Sequence, residues 1–299
     1  MQSPHIDIGT YGIWTGALDM QPSALARESV AELEELGWGA VWIPETVFRE
    51  PFVHAALLLE GSSTIKVATG IVNRYGRDPL ACNAAMQTLN EAHPGRFLLG
   101  LGVSHEHLVS WVRKHDYSRP YSGMVEYLDL MAKARFFAPT GEPPAQMVLA
   151  ALGPRMLRLA AERTAGAHPY FVPPEHTAIA RETMGPEPLL AVEQMVVLET
   201  DPAAAREIAR QHMAVYLQAP NYTNNLRRLD FAEEEVADGG SDRVVDAIAA
   251  WGTIDDVLTR VQAHLDAGAD HVCIQVLDRD MAHLPLTEWR ELAAALSLV

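Results

Sequence analysis

The chain has 299 residues, 48% hydrophobic and 21% charged, an ordinary globular composition long enough for one large domain or two average ones. Its formal net charge of −16 disfavours nucleic acid and anionic membranes as partners. The N-terminus lacks a basic stretch followed by a long apolar run, and no apolar run could span a bilayer, so neither a secretory signal nor a membrane segment is expected and a cytoplasmic protein is the default.

Ile6 to Trp14 reads as a first strand. Pro22 and Ser23 open a helix through Leu36, whose Leu25, Val30, Leu33 and Leu36 share one face, and Gly37 caps it. Gly39 to Ile43 is the next buried strand. Lys66 to Asn73 is a strand, and Pro79 to Ala92 a helix with proline at its first position. Arg96 to Val103 is apolar throughout, as a strand buried on both faces is, and carries Gly100 and Gly102. Those glycines either admit something large or relieve crowding between strands. A helix from Tyr121 to Phe136, a strand from Ala145 to Ala151 and a helix from Gly153 to about Thr164 follow. Then come a strand at Ala167 to Val172, a strand from Leu189 to Leu198, and a helix from Asp201-Pro202 through Leu217. Thr253 caps a helix from Ile254 to Ala267; His271 to Val276 is the last strand and Leu286 to Ser297 the last helix.

A supersecondary pattern recurs along this order: amphipathic helix, glycine, short apolar strand. About eight strands, each followed by helix, predict a (β/α)8 TIM barrel of the α/β class. A doubly wound open sheet is the alternative, against which the first βα turn lacks a GxGxxG. We expect one domain over 1–299. The segment 219–241 exceeds one barrel unit and reads as an insertion, either covering the mouth or a plain surface excursion. Cys82 and Cys273 lie in apolar runs and read as core thiols; without HExxH or CxxC, no metal site is expected.

Ligands of such barrels sit beyond the carboxyl ends of the strands. Read there, the chain offers Trp14, Glu45, Asn73, Arg74, Ser104, His105, Gly153, Tyr170, Glu193 and Gln275. No nucleophilic Ser or Cys has an evident base, which points away from acyl transfer. The set suits a large flat cofactor oriented by a few polar groups. Gly153-Pro154-Arg155-Met156 opens a helix whose free N–H groups and guanidinium could hold a phosphate, or is a simple turn. Arg74 and Arg77 could take an anionic tail or substrate carboxylate, unless Arg77 pairs locally with Asp78.

Several stretches together resemble the luciferase-like flavin and deazaflavin oxidoreductases: Val41-Trp42-Ile43-Pro44-Glu45, Ala68 to Asn73, Arg77-Asp78-Pro79, Pro94 to Gly102, and Leu152-Gly153-Pro154-Arg155-Met156-Leu157. Gly102-Val103-Ser104-His105, Gln218 to Asn225 and Gly268 to Val272 are similar to an actinobacterial branch usually assigned to coenzyme F420, a deazaflavin. The resemblance implies a TIM barrel with its cofactor at the mouth, usually a homodimer. It implies a cis peptide between Gly70 and Ile71, with Trp14, Gly70, Ile71, Asn73, Ser104 and Gly153 to Met156 around the cofactor. Many relatives have histidine after the glutamate that ends the second strand; here Thr46 follows Glu45. The best-studied deazaflavin dehydrogenases use that histidine near the reactive ring, so their sugar-phosphate oxidation does not carry over; where they have a glutamate at the fourth-strand tip, this chain has His105, so the acid/base group differs too.

The expected function is hydride transfer between F420 and a small organic substrate. His105 is the acid/base group, Glu45 orients substrate or cofactor, and Arg74, Arg77 and Tyr170 contact the substrate or cofactor tail. An FMN-dependent monooxygenase and a non-catalytic flavin-binding barrel are the alternatives. The homodimer is also expected from apolar Leu57-Leu58-Leu59 and Ala84-Ala85-Met86 on barrel-side helices.

Overall fold

The computed structural model describes residues 7–298; Ile6, the expected start of the first strand, and the N-terminal segment 1–5 lie outside the described residues. The described strands are β1 (Tyr11–Trp14), β2 (Ala40–Ile43), β3 (Lys66–Thr69), β4 (Val72–Asn73), β5 (Phe97–Gly102), β6 (Gln146–Leu149), β7 (Gly166–Ala167), β8 (Leu189–Val197), β9 (Ala249–Trp251) and β10 (His271–Val276). All pair in parallel. The order β10-β1-β2-β3-β5-β6-β7-β8 closes through a β8–β10 ladder from His271↔Ala191 to Val276↔Val196, so eight strands form a barrel. The expected third strand is two pieces: β3 ends before Gly70, and β4 resumes after Ile71 to pair β5. β9 pairs the far end of β8 outside the closed ring.

The period-2 alternation of the strands sorts their side chains into two cores. Val41, Ile43, Leu99, Leu149, Val192 and Ile274 face outward and pack under the helices. Trp14, Trp42, Leu98, Val148, Met195 and Cys273 fill the barrel interior. Both cysteines are buried free thiols. Outside the inserted segment, three α-helices were given no bounds in the sequence, Pro51–Glu60, Pro174–Met184 and Asp242–Ile248, the first of them carrying Leu57 to Leu59. The first two open on proline, and Glu50 caps the first by accepting from Val53 N–H at 2.8 Å.

Gly100 and Gly102 serve strand packing rather than ligand approach. A Cβ on Gly100 would stand 1.8 Å from Thr69 O, and one on Gly102 would stand 2.5 Å from the Ile71 side chain. Leu58, Leu59 and Met86 are buried within the chain, so they do not support an interface; Val53 and Leu80, on the same two helices, are exposed. The inserted segment forms the helices Pro220–Arg228 and Glu233–Val236, and carries Tyr222 over the barrel mouth. Among the described residues, no helix is long and apolar enough to cross a membrane.

Candidate active site at the barrel mouth

The floor of the site is a layer of aromatic rings. Trp42 stacks on His168 with centroids 4.2 Å apart, and its Nε1–H donates to His271 Nε2 at 3.0 Å. Nδ1 of His271 and of His168 each meet a backbone carbonyl, Gly9 O at 2.7 Å and Ala191 O at 2.9 Å. A carbonyl only accepts, so both rings carry their proton on Nδ1. Burial pushes both down to about 4, leaving them neutral at pH 7.

Above this layer the chain turns at the Gly70–Ile71 peptide, which is cis as the resemblance implies. A Cβ on Gly70 would stand 2.4 Å from Trp14 Nε1 and 3.0 Å from His168 Nε2, so only glycine fits. Both nitrogens are buried without a hydrogen-bond partner. Trp14 thus holds an unused N–H, and His168 an unused lone pair, beside Gly70. Glu193, on β8, is 1% exposed; its Oε2 accepts from Phe171 N–H at 3.1 Å and its Oε1 has no partner. Burial pushes its carboxyl up to about 8, against that hydrogen bond, so it is protonated at neutral pH.

Tyr170, Phe171, Tyr216 and Tyr222 form the wall facing His105. The His105 ring lies 5.3 Å from Tyr222 and 6.4 Å from Tyr216, and its Nδ1 has no partner. Burial holds its imidazole below the ordinary value, against a hydrogen bond with the Asn221 side chain. Tyr170 is turned inward. Its hydroxyl bonds Tyr216 Oη at 2.9 Å and Gln275 Oε1 at 3.0 Å, so it supports the site rather than meeting a substrate. Gln275 Nε2 in turn lies 3.1 Å from His212 Nε2.

Glu45 borders a cleft of the mouth with its carboxylate taken up inside the chain. Its carboxylate accepts two bonds from Arg77 (2.9 and 3.1 Å), one from Arg113 (2.9 Å) and one from Asn73 N–H (2.6 Å). With its lone pairs so occupied, it is the hub that fixes the β2 and β4 loops. Arg77 also meets Glu50 at 2.9 Å, so two carboxylates offset its charge and it is a poor anchor for an anionic tail. Asp78, its neighbour, instead caps the helix Pro79–Ala92 through Leu80 N–H and Ala81 N–H. Arg74 lies 3.9 Å from the Tyr75 ring centre and donates to that hydroxyl at 2.6 Å. Asn73, Ser104, Thr46 and Val112 line a cleft beside Glu45 and Arg113. A second cleft runs past Trp14, Thr46, Phe48, His212, Tyr216, Gln275 and Met281, and Thr46 joins the two.

At the far side of the mouth Gly153 is the N-cap of the helix Pro154–Arg163. Met156 N–H turns back to Gly153 O at 3.0 Å and its side chain packs on the core, so it is not free for a phosphate. Arg155 lies 4.1 Å over the Tyr121 ring. Arg228, which sequence reasoning missed, has its Nη1 3.6 Å from where a Gly153 Cβ would be. Among the described residues, neither Arg155 nor Arg228 pairs with a carboxylate. Tyr216, Tyr222 and His212 were also missed as site residues. The signal for Glu193 was a lone acid beside Gln194 in an otherwise apolar run, Leu189 to Val197.

A family model described as luciferase-like monooxygenase matches residues 10–271. A Mycobacterium tuberculosis protein named as a coenzyme F420-dependent oxidoreductase is 28% identical over 120 residues, 40% of this chain and 35% of that protein. An F420-dependent secondary alcohol dehydrogenase, solved with an F420-acetone adduct, superposes with a TM-score of 0.76 at 13% identity over 96% of this chain and 98% of its own. The oxygenating constituent of 3,6-diketocamphane monooxygenase from Pseudomonas putida, solved with FMN, superposes with a TM-score of 0.68 at 14% identity over 96% of each chain.

Proposed function

The chain belongs to the luciferase-like monooxygenase family, and from that premise we propose that it is an oxidoreductase moving a hydride between coenzyme F420 and a small organic substrate. The observation that carries the reading is the pair Arg155 and Arg228 at Gly153, at the head of a ten-residue helix in a chain of net charge −16. Two guanidiniums without carboxylates, at a helix N-terminus, suit a phosphate-bearing cofactor. The orphaned Trp14 N–H and the aromatic mouth suit the flat ring, so the residues present fit the group. The F420-related names of the M. tuberculosis relative and the alcohol dehydrogenase favour the deazaflavin.

Bound there, the deazaflavin supplies a carbon that gives or takes a hydride. The chain's own part would be to hold the ring at the mouth, where Trp14 packs on the Gly70–Ile71 turn, and to move a proton. His105, neutral at pH 7 with a free Nδ1, is the group poised to accept one from a substrate alcohol or return it to a carbonyl. Tyr222 and the inserted helix keep water from its other face. The working form is a homodimer, for which exposed Val53 and Leu80 offer an apolar patch.

The FMN-bound neighbour supports the second reading, a flavin monooxygenase. Titration of the purified chain with F420 and with FMN separates them. Tighter F420 binding is expected; tighter FMN binding with oxygen-dependent turnover would transfer the assignment. Turnover of any substrate removes a purely cofactor-holding role.

A further inference from the structure

We propose that the cleft between Trp14, Phe48 and Met281 seats an uncharged, largely apolar substrate whose one carbonyl or hydroxyl points at Tyr216, Gln275 and His212. This deepens the oxidoreductase reading and rests on it for the chemistry, though not for the binding.

The walls are apolar: Trp14, Met20, Pro44 and Leu277 line the cleft. Phe48 and Met281, on two separate loops, remain 54% and 66% exposed at its rim. Large apolar side chains held open around a concave site favour an apolar occupant that covers them. The floor is polar and partly ordered. Gln275 Nε2 can only donate, so His212 Nε2 accepts and the neutral ring carries its proton on Nδ1. The Tyr216 hydroxyl is held by Tyr170 at 2.9 Å. Tyr170 gives its one proton to Gln275 Oε1, so Tyr216 donates to Tyr170 and keeps its lone pairs, and the floor offers one substrate oxygen a donor, the second Gln275 N–H, beside an acceptor, Tyr216 Oη.

The charge around the cleft excludes anions. Burial pushes His212 down to about 4, so it is neutral at pH 7. His283 lies 3.8 Å from Glu288, and Arg279, between the lining residues Asp278 and Asp280, pairs with Glu207 at 3.2 Å. No Lys or Arg lines the cleft, whereas Asp278 and Asp280 do. Arg113, in the adjoining cleft, is held by Glu45, and Arg49, next to Phe48, is turned onto the Asp19 and Gln21 carbonyls at 3.0 and 2.6 Å. A phosphate or carboxylate would enter a field of its own sign.

The test is calorimetric titration of the full chain, with and without F420, using 4-phenyl-2-butanone, its anionic counterpart 3-phenylpropionate, and glucose 6-phosphate. The ketone should bind in both forms, roughly tenfold or more tighter than the carboxylate, with glucose 6-phosphate weakest. Phe48→Ser, at an exposed rim position, should weaken the ketone by roughly five- to tenfold. The double substitution Asp278→Asn and Asp280→Asn should narrow the gap between ketone and carboxylate. No ketone binding in either form, preference for either anion, or an unchanged ketone affinity in Phe48→Ser overturns the proposal. Failure of the chain to take F420 while the ketone still binds would sink the cofactor assignment and leave the cleft assignment standing.

Discussion

Lowering the pH from 7 to 5 should remove a large share of the fold's stability. His168, His264 and His271 are each at most 1% exposed, and burial drives them down to about 4, 3 and 4. Each is bonded within the barrel as a neutral ring, His264 between Thr177 and Gln194 at 2.8 Å. In the unfolded chain an imidazole ionises near pH ~6.5. Across the window from that value down to the folded ones, the unfolded chain binds more protons. The stability the rings hold is therefore full above the unfolded value and is lost as pH falls through the window. At about 1.4 kcal/mol per pKa unit, each ring costs about 2 kcal/mol at pH 5. Glu193 works in the opposite sense. Its raised value of about 8 means its burial penalty is relieved on acidification, returning roughly 2–3 kcal/mol over the same interval. The buried His54 and Asp19, 3.3 Å apart, shift to about 4 and about 7, and their contributions nearly offset each other here. His212, also held at about 4, loses a similar amount, so the net expectation is a loss of about 5 kcal/mol, against a usual total of about 5–15 kcal/mol. Urea unfolding followed by circular dichroism at pH 7, 6 and 5, at fixed ionic strength, measures it. A midpoint that holds or rises toward pH 5 would mean that these rings are solvated or charged in the folded chain, and the reasoning would fail.

Three substitutions probe the mouth. His105→Ala should lower the chemical rate by roughly 10²–10⁴-fold with little change in cofactor affinity; an unchanged rate in single-turnover measurements would leave His105 a packing partner of Tyr222. Glu45→Gln leaves Arg77 and Arg113, whose side chains are 13% and 31% exposed, facing a neutral amide and should cost about 2–3 kcal/mol in urea unfolding. A loss below about 1 kcal/mol would show that the hub is solvated enough to dispense with its charge. Arg228→Ala should weaken F420 roughly three- to tenfold and flatten the salt dependence of binding; equal affinity at low salt would place the phosphate elsewhere.

The barrel was legible because its physics is local. A helix ending at a glycine that precedes an apolar strand is a signal contained in about fifteen residues, and Gly37 does take the left-handed conformation, with φ 81°. Strand β3 was read too long for a related reason: residues 66–73 are continuous in hydropathy, and the turn at Gly70 is set by Trp14 and His168, which sequence distance hides. The helix Pro174–Met184 carried a readable start, proline after proline, that went unused beside the stronger glycine signals.

The site was legible only where a residue's role follows from its own strand. Ser104, His105, Asn73 and Gly70 reach the mouth because each ends or follows a barrel strand. Charge partners follow no such rule. Arg77 was weighed against Asp78 next to it, yet Asp78 answers the open N–H groups of its own helix, and Arg77 turns to Glu45 and Glu50, 32 and 27 positions away. A carboxylate before a proline-led helix has a prior claim on that helix, and this is the signal that would have freed Arg77 for a distant partner. Once Arg77 and Arg113 are spent on Glu45, the mouth arginines without a carboxylate among the described residues include Arg74, which is turned onto Tyr75, and, on the other side, Arg155 and Arg228 from the inserted helix. On the proposed reading, an anionic cofactor end would leave the barrel past Gly153, and the opposite cleft, with Asp278 and Asp280 in its lining, would take a substrate without charge.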